Sequence, residues 1–150
     1  MLTATAIRLD IRGLAVELPT ETGWVRPVND VSLSLAEGET LGIVGESGSG
    51  KTMLSLALMG LEPPGARRSG EAWLETRDGP RVNLVAADPE QLRKMRGRDI
   101  AMIFQEPMTA LDPVMRIGAQ VEEAIRIHDS SASASEIGRR AIDPVHGSRP

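Results

Sequence analysis

Gly45-Glu46-Ser47-Gly48-Ser49-Gly50-Lys51-Thr52 is the stretch that most narrows what this chain can fold into. It satisfies the pattern G-x-x-x-x-G-K-[ST] of a phosphate-binding loop. The spacing has a chemical reason. Backbone N–H groups must turn inward around a polyphosphate, and glycines let the backbone approach without a clashing Cβ. Lys51 is placed to reach the β- and γ-phosphates, and the Thr52 hydroxyl to ligate Mg²⁺. Gly45, Ser47, Gly48, Ser49, Gly50, Lys51 and Thr52 are therefore candidate ligand-binding residues. A helix starting here would aim its N-terminal dipole at the anion. The flanks suit that arrangement. Thr40-Leu41-Gly42-Ile43-Val44 reads as a short buried strand, and Met53-Leu54-Ser55-Leu56-Ala57-Leu58-Met59 as a helix. The bland alternative is a flexible Gly/Ser turn, which does not need a strand before it and a helix after it. The lysine itself is informative. Of 17 lysines and arginines, only Lys51 and Lys94 are lysines.

The bulk properties exclude several classes. A chain of 150 residues is one domain by default and long enough to bury a core. A net charge of −4 argues against a nucleic-acid surface. The absence of cysteine rules out disulfides and thiolate metal sites. Arg8 and Asp10 interrupt the early apolar stretch, so no secretory signal is expected. No run approaches the roughly 18 apolar residues of a membrane span. Any membrane role must therefore come through a partner.

Ile7, Leu9 and Ile11 alternate with Arg8, Asp10 and Arg12, which is strand periodicity with one wet face. Gly13 is placed for a bulge. Leu14, Val16 and Leu18 resume the alternation, Pro19 to Gly23 turns, and Val31, Leu33 and Leu35 alternate again. About 40 residues of antiparallel strand thus precede the loop. The helix after the loop ends near Gly60, before Pro63-Pro64-Gly65. Glu71 to Glu75 and Arg81 to Val85 read as a hairpin around Asp78-Gly79-Pro80. Asp88-Pro89-Glu90-Gln91 starts a helix that ends at Gly97, with Asp88 as N-cap and Pro89 at N1. Ile100-Ala101-Met102-Ile103-Phe104 is a continuous apolar run suited to a strand buried on both faces. Ile117, Val121, Ala124, Ile125 and His128 recur at helical spacing. Ser133 to Glu136 caps one more short helix, which Asp143-Pro144 stops.

Glu37 to Thr52 resembles the nucleotide-binding subunits of ABC transporters. Ile103-Phe104-Gln105-Glu106-Pro107-Met108-Thr109-Ala110-Leu111-Asp112-Pro113 is narrower. It resembles the Q-loop of the oligopeptide, dipeptide, glutathione and nickel uptake branch. The resemblance runs from about Ile7 to Ile142. It implies an α/β fold: a P-loop NTPase core of ABC type, with an N-terminal antiparallel β-subdomain and the start of a helical subdomain. The implied segments are about 1–40, 41–113, 114–142 and a tail over 143–150. It implies ATP and Mg²⁺ as ligands, with Lys51 and Gln105 as catalytic residues and Thr52 and Gln105 at the metal. It also implies two partners, a membrane permease and a second nucleotide-binding subunit. The location implied is cytoplasmic, held at the inner face of the membrane through the permease.

Two departures from the family pattern matter. Leu18 stands where the family places an aromatic ring that stacks on adenine. No signature like L-S-G-G-Q occurs, and no apolar strand ends in Asp-Glu after Gln105. The chain is accordingly expected to be the front part of a nucleotide-binding domain, truncated before its Walker B carboxylates. The leading expectation is the ATP-binding component of an uptake transporter for peptides or related small solutes. The alternatives are a non-catalytic nucleotide- or partner-binding fragment, and another phosphate-loop enzyme such as a small kinase. His128 and His146 lack partners at metal-ligand spacing. Trp24 and Trp73 read as packing or strand-edge aromatics, and Arg93, Lys94, Arg96 and Arg98 as a solvated helix face.

Overall fold

The computed structural model describes residues 6–105, 111–129 and 131–142. They fall in two compact units, Met1–Met102 and Ile103–Pro150.

The first unit is built on a four-stranded antiparallel sheet of order β2-β1-β3-β4. Strand β1 (Ile7–Thr20) and strand β2 (Gly23–Ala36) form a long hairpin, closed where Thr20 faces Gly23. The alternating apolar residues explain which face is covered. Ile11, Leu14 and Val16 are buried together with Val28, Ala72, Leu74 and Leu84. The register slips between Ile11 and Leu14, where Gly13 takes φ 56°, so a bulge does sit at that glycine. Strand β3 (Arg67–Leu74) begins four residues before the expected Glu71, and its first residues pair with β1, Arg67 opposite Glu17. Strand β4 (Val82–Asn83) completes the short hairpin, with Trp73 opposite Asn83.

Two helices close the core. Helix α1 (Lys51–Met59) contributes Leu54 and Ala57, and helix α2 (Pro89–Met95) contributes Leu92 and Met95. Asp88 caps α2 as its sequence implies, accepting from Gln91 N at 2.8 Å. The helix ends at Met95, two residues short of Gly97. Gly60 ends α1 in the left-handed region (φ 63°), with its N–H and that of Leu61 donating to Ala57 O and Leu56 O. Polar side chains away from the core pair with one another, as Arg26 does with Glu17. The Arg67 guanidinium lies 4.0 Å above the Trp24 ring and Arg81 lies 4.7 Å above Trp73.

Two expected strands do not form. Thr40–Val44 carries no strand, and Val44 is 95% exposed. Ile100–Phe104 has only a single bridge, from Ile100 to Arg96, and Ile103 is 97% exposed. A continuous apolar run suits a strand covered on both faces, but it becomes one only beside a hydrogen-bonding neighbour. Among the described residues no strand pairs with Thr40–Val44 or with Ala101–Phe104.

The second unit holds helix α3 (Ile117–His128) and helix α4 (Ala134–Ile142). Gln120 fastens the segment before α3 by accepting from Asp112 N and donating to the carbonyls of Asp112 and Met115. Ile137 is buried, and Arg140 donates to Asp129 at 2.7 Å. The Q-loop residues Glu106–Ala110, the Asp143-Pro144 stop and the 143–150 tail lie outside the described residues.

Candidate phosphate-binding site

Gly50 is the N-cap of α1, at φ 90°, and no side chain caps the helix. The first intrahelical bond is Leu54 N to Gly50 O, 2.8 Å. The N–H groups of Lys51, Thr52 and Met53 therefore precede the hydrogen-bonded ladder. No acidic residue sits in the first turn, so nothing there opposes an anion. Thr52 is exposed and Lys51 half-buried.

Lys51 folds back over the loop. Its Nζ donates to Gly45 O (2.7 Å), Glu46 O (2.7 Å) and Ser49 Oγ (3.1 Å). All three ammonium protons are thus used by the loop itself. A Cβ on Gly45 would lie 2.7 Å from Ser49 Oγ and 3.8 Å from Lys51 Nζ, so the space the loop encloses begins at that glycine. Ser47 and Gly48 form its exposed tip, closed by Ser49 N donating to Glu46 O at 3.2 Å. The motif residues Gly45 to Thr52 are thereby gathered into one cradle.

Gln105 belongs to the second unit, where it is exposed in a bend. Leu18 is half-buried, packs against the core cluster and faces Val25 across the hairpin. One arginine lies over each of Trp24 and Trp73, and Trp24 is still 46% exposed, as a strand-edge aromatic is. His128 is exposed at the end of α3, and His146 lies outside the described residues. Among the described residues no group of His, Cys, Asp or Glu could hold a metal by itself. A cavity of about 210 Å³ lies elsewhere, lined by Thr76, Pro80, Val82, Lys94, Met95 and Arg98 among others, with no loop residue in its wall.

The basic cluster after Asp88 divides in two. Arg93 and Lys94 are solvated and pair with Glu90, whose carboxyl the Arg93 hydrogen bond holds down at about 2. Arg96 corrects the expectation: it is half-buried and donates from Nε to Met59 O at 2.9 Å. Arg68 does the same from β3, donating to Ala57 O (3.1 Å) and Leu84 O (3.3 Å) while pairing with Glu62 (3.0 Å). The sequence gives no local signal for either, because arginine is abundant throughout.

A glycine-rich loop at the uncapped start of a helix presents backbone donors of the kind that hold a phosphate. Residues 28–144 match the family model described as ABC transporter, and the chain belongs to that family. It is 45% identical to the glutathione import ATP-binding protein GsiA of Salmonella typhimurium, over 91% of this chain and 23% of that protein. It is 43% identical to the oligopeptide transport ATP-binding protein OppD of Escherichia coli K12, over 91% of this chain and 40% of that one. It is 45% identical to the putative peptide import ATP-binding protein BMEII0863 of Brucella melitensis, over 91% and 42%. The chain therefore spans less than half the length of each of these relatives. Its fold is that of the ATP-binding cassette MJ0796, solved as a dimer in a post-hydrolysis state with ADP and Pi. That match has a TM-score of 0.70 at 23% identity, covering 90% of this chain and 54% of the other.

Proposed function

We propose that this chain is the phosphate-binding part of an ATP-binding subunit of an ABC importer for peptides or related small solutes. In that role the subunit as a whole would couple ATP binding and hydrolysis to transport through a membrane permease. One observation carries the reading: the glycine loop and Lys51 stand at the start of α1, where no side chain caps the helix, in a chain whose family implies nucleotide binding. The solute class follows the relatives' names, which are glutathione import, oligopeptide transport and peptide import.

In this reading the N–H groups of the loop and of the first turn of α1 hold the phosphates. Lys51 exchanges its bonds to Gly45 O, Glu46 O and Ser49 Oγ for phosphate oxygens, which makes charge-assisted contacts of them. Mg²⁺, when bound with the nucleotide, supplies neutralisation of phosphate charge. The residues fit such a hard ion. Thr52 presents a hydroxyl in the first turn, and the remaining ligands would be phosphate oxygens and water. Gln105 is assigned to the metal or the attacking water on the resemblance of its segment. Residues of about 1–40, 41–113 and 114–142 would act as β-subdomain, core and start of the helical subdomain.

A permease and a second nucleotide-binding subunit are the partners this reading needs. The cassette with the same fold is a dimer, and among the described residues no helix is long and apolar enough to cross a membrane. The working location would be the cytoplasmic face, reached through the permease. Calorimetric titration with Mg·ATP tests the reading. Lys51→Ala removes a charge-assisted contact of about 1.5–3 kcal/mol, so affinity should fall at least about tenfold. Equal affinity in the two proteins would refute the assignment.

A further inference from the structure

We infer that Arg68 and Arg96 are positioning residues for the phosphate loop, acting from the far end of α1. The inference rests on the nucleotide-binding reading above and adds to it how the cradle is aimed.

The segment that enters the loop, Thr40–Val44, is exposed, and among the described residues no strand pairs with it. At the N-terminal end of α1 the fixed contact is backbone to backbone, Gly50 against Pro27 of β2. In the middle, Leu54 and Ala57 lie in the core. At the C-terminal end two guanidinium groups hold carbonyls of the last turn: Arg68 shares Ala57 O with the Gly60 N–H, and Arg96 takes Met59 O. They come from β3 and from the residue after α2, and Arg68 also holds Leu84 O beyond β4. A Cβ on Gly60 would lie 2.5 Å from Leu92 Cδ1, so this glycine lets Leu92 of α2 pack against the end of α1.

A nine-residue helix is about 13 Å long and stiff. Tilting its C-terminal end about the Pro27 contact swings the N–H vectors of Lys51, Thr52 and Met53. Hydrogen bonds weaken steeply as they bend, so phosphate affinity depends on that tilt. Glu62 orients the clamp by holding Arg68 Nε at 3.0 Å, both side chains being 15% exposed. Its second oxygen, Oε2, is buried with no hydrogen-bond partner among the described residues. A poorly satisfied buried ion pair is a weak source of stability, which fits an orienting role better than a stabilising one.

The test uses the full 150-residue chain and Mg·ATP, titrated in the cold where circular dichroism shows each variant folded. Arg68→Met and Arg96→Met should each weaken binding about tenfold, and Arg68→Lys, which keeps a donor for Ala57 O, should recover most of the loss. Wild-type affinity in the folded Met variants, with only a lowered unfolding midpoint, would overturn the inference. If Arg68→Met does not fold, Arg96→Met and Arg68→Lys decide it by the same comparison. A nucleotide-free arm separates this inference from the reading beneath it. The amide shifts of Gly50, Lys51 and Thr52 should move in Arg68→Met without ATP, and unmoved shifts overturn the inference. Absence of Lys51-dependent binding in the wild type, with those shifts moved, would refute nucleotide binding and leave the clamp standing.

Discussion

Gly50 and Pro27 meet so closely that a Cβ on Gly50 would collide with the Pro27 carbonyl oxygen. The contact joins the last glycine of the phosphate loop to strand β2, and it occurs at φ 90°, where an L side chain is already strained. It sets the N-terminal end of α1 against the antiparallel sheet.

Gly50→Ala should therefore be destabilising by about 2 kcal/mol or more, from left-handed strain plus the collision. Urea unfolding should show a lower midpoint at unchanged slope. A midpoint equal to wild type would mean that the loop is not held against Pro27.

Thr52 makes a separable prediction. Its side chain is exposed in the first turn of α1 and is given no packing role by the core cluster. Thr52→Ala should weaken Mg·ATP binding about tenfold and metal-free ATP binding by less than about twofold. Equal losses with and without Mg²⁺ would show that the hydroxyl contacts the phosphates or the fold, not the metal.

In the second unit, Asp129 at the end of α3 accepts from Arg140 of α4. The Arg140 hydrogen bond, and then that of Ser131, hold its carboxyl below the ordinary range. A carboxyl depressed in the folded state contributes stability above its unfolded value and loses it as pH falls through the folded one. Acid titration should loosen the α3–α4 link below the ordinary carboxylate range, read as a shift of the Arg140 side-chain resonance. Asp129→Asn should abolish that transition, and an unaltered transition would assign it to another group.

Much of this arrangement is legible in the sequence, for identifiable reasons. The alternation that includes Leu9 and Ile11 marks the covered face of β1, although Ile7 at its start is exposed, and Gly13 marks its bulge. Asp88-Pro89 marks the start of α2, because a cap is a local interaction. The start of α1 at Lys51 is legible because the glycine loop before it is a local pattern. The apolar runs at Thr40–Val44 and Ile100–Phe104 mislead, since hydrophobicity states a need for cover without naming the neighbour that supplies it. The Pro27–Gly50 contact and the arginines on Ala57 O and Met59 O are hidden for a related reason. They join residues 11 to 37 apart, and no local pattern distinguishes these arginines from solvated ones.

The account stands most directly on where a nucleotide lands. Amide chemical shifts of the isotope-labelled chain, recorded while Mg·ATP is added, locate it residue by residue. The largest changes should fall on Gly45, Gly48, Gly50, Lys51 and Thr52, and should vanish in Lys51→Ala. Changes centred instead on the cavity lined by Thr76, Val82 and Arg98, or an unperturbed loop at saturating ATP, would contradict it.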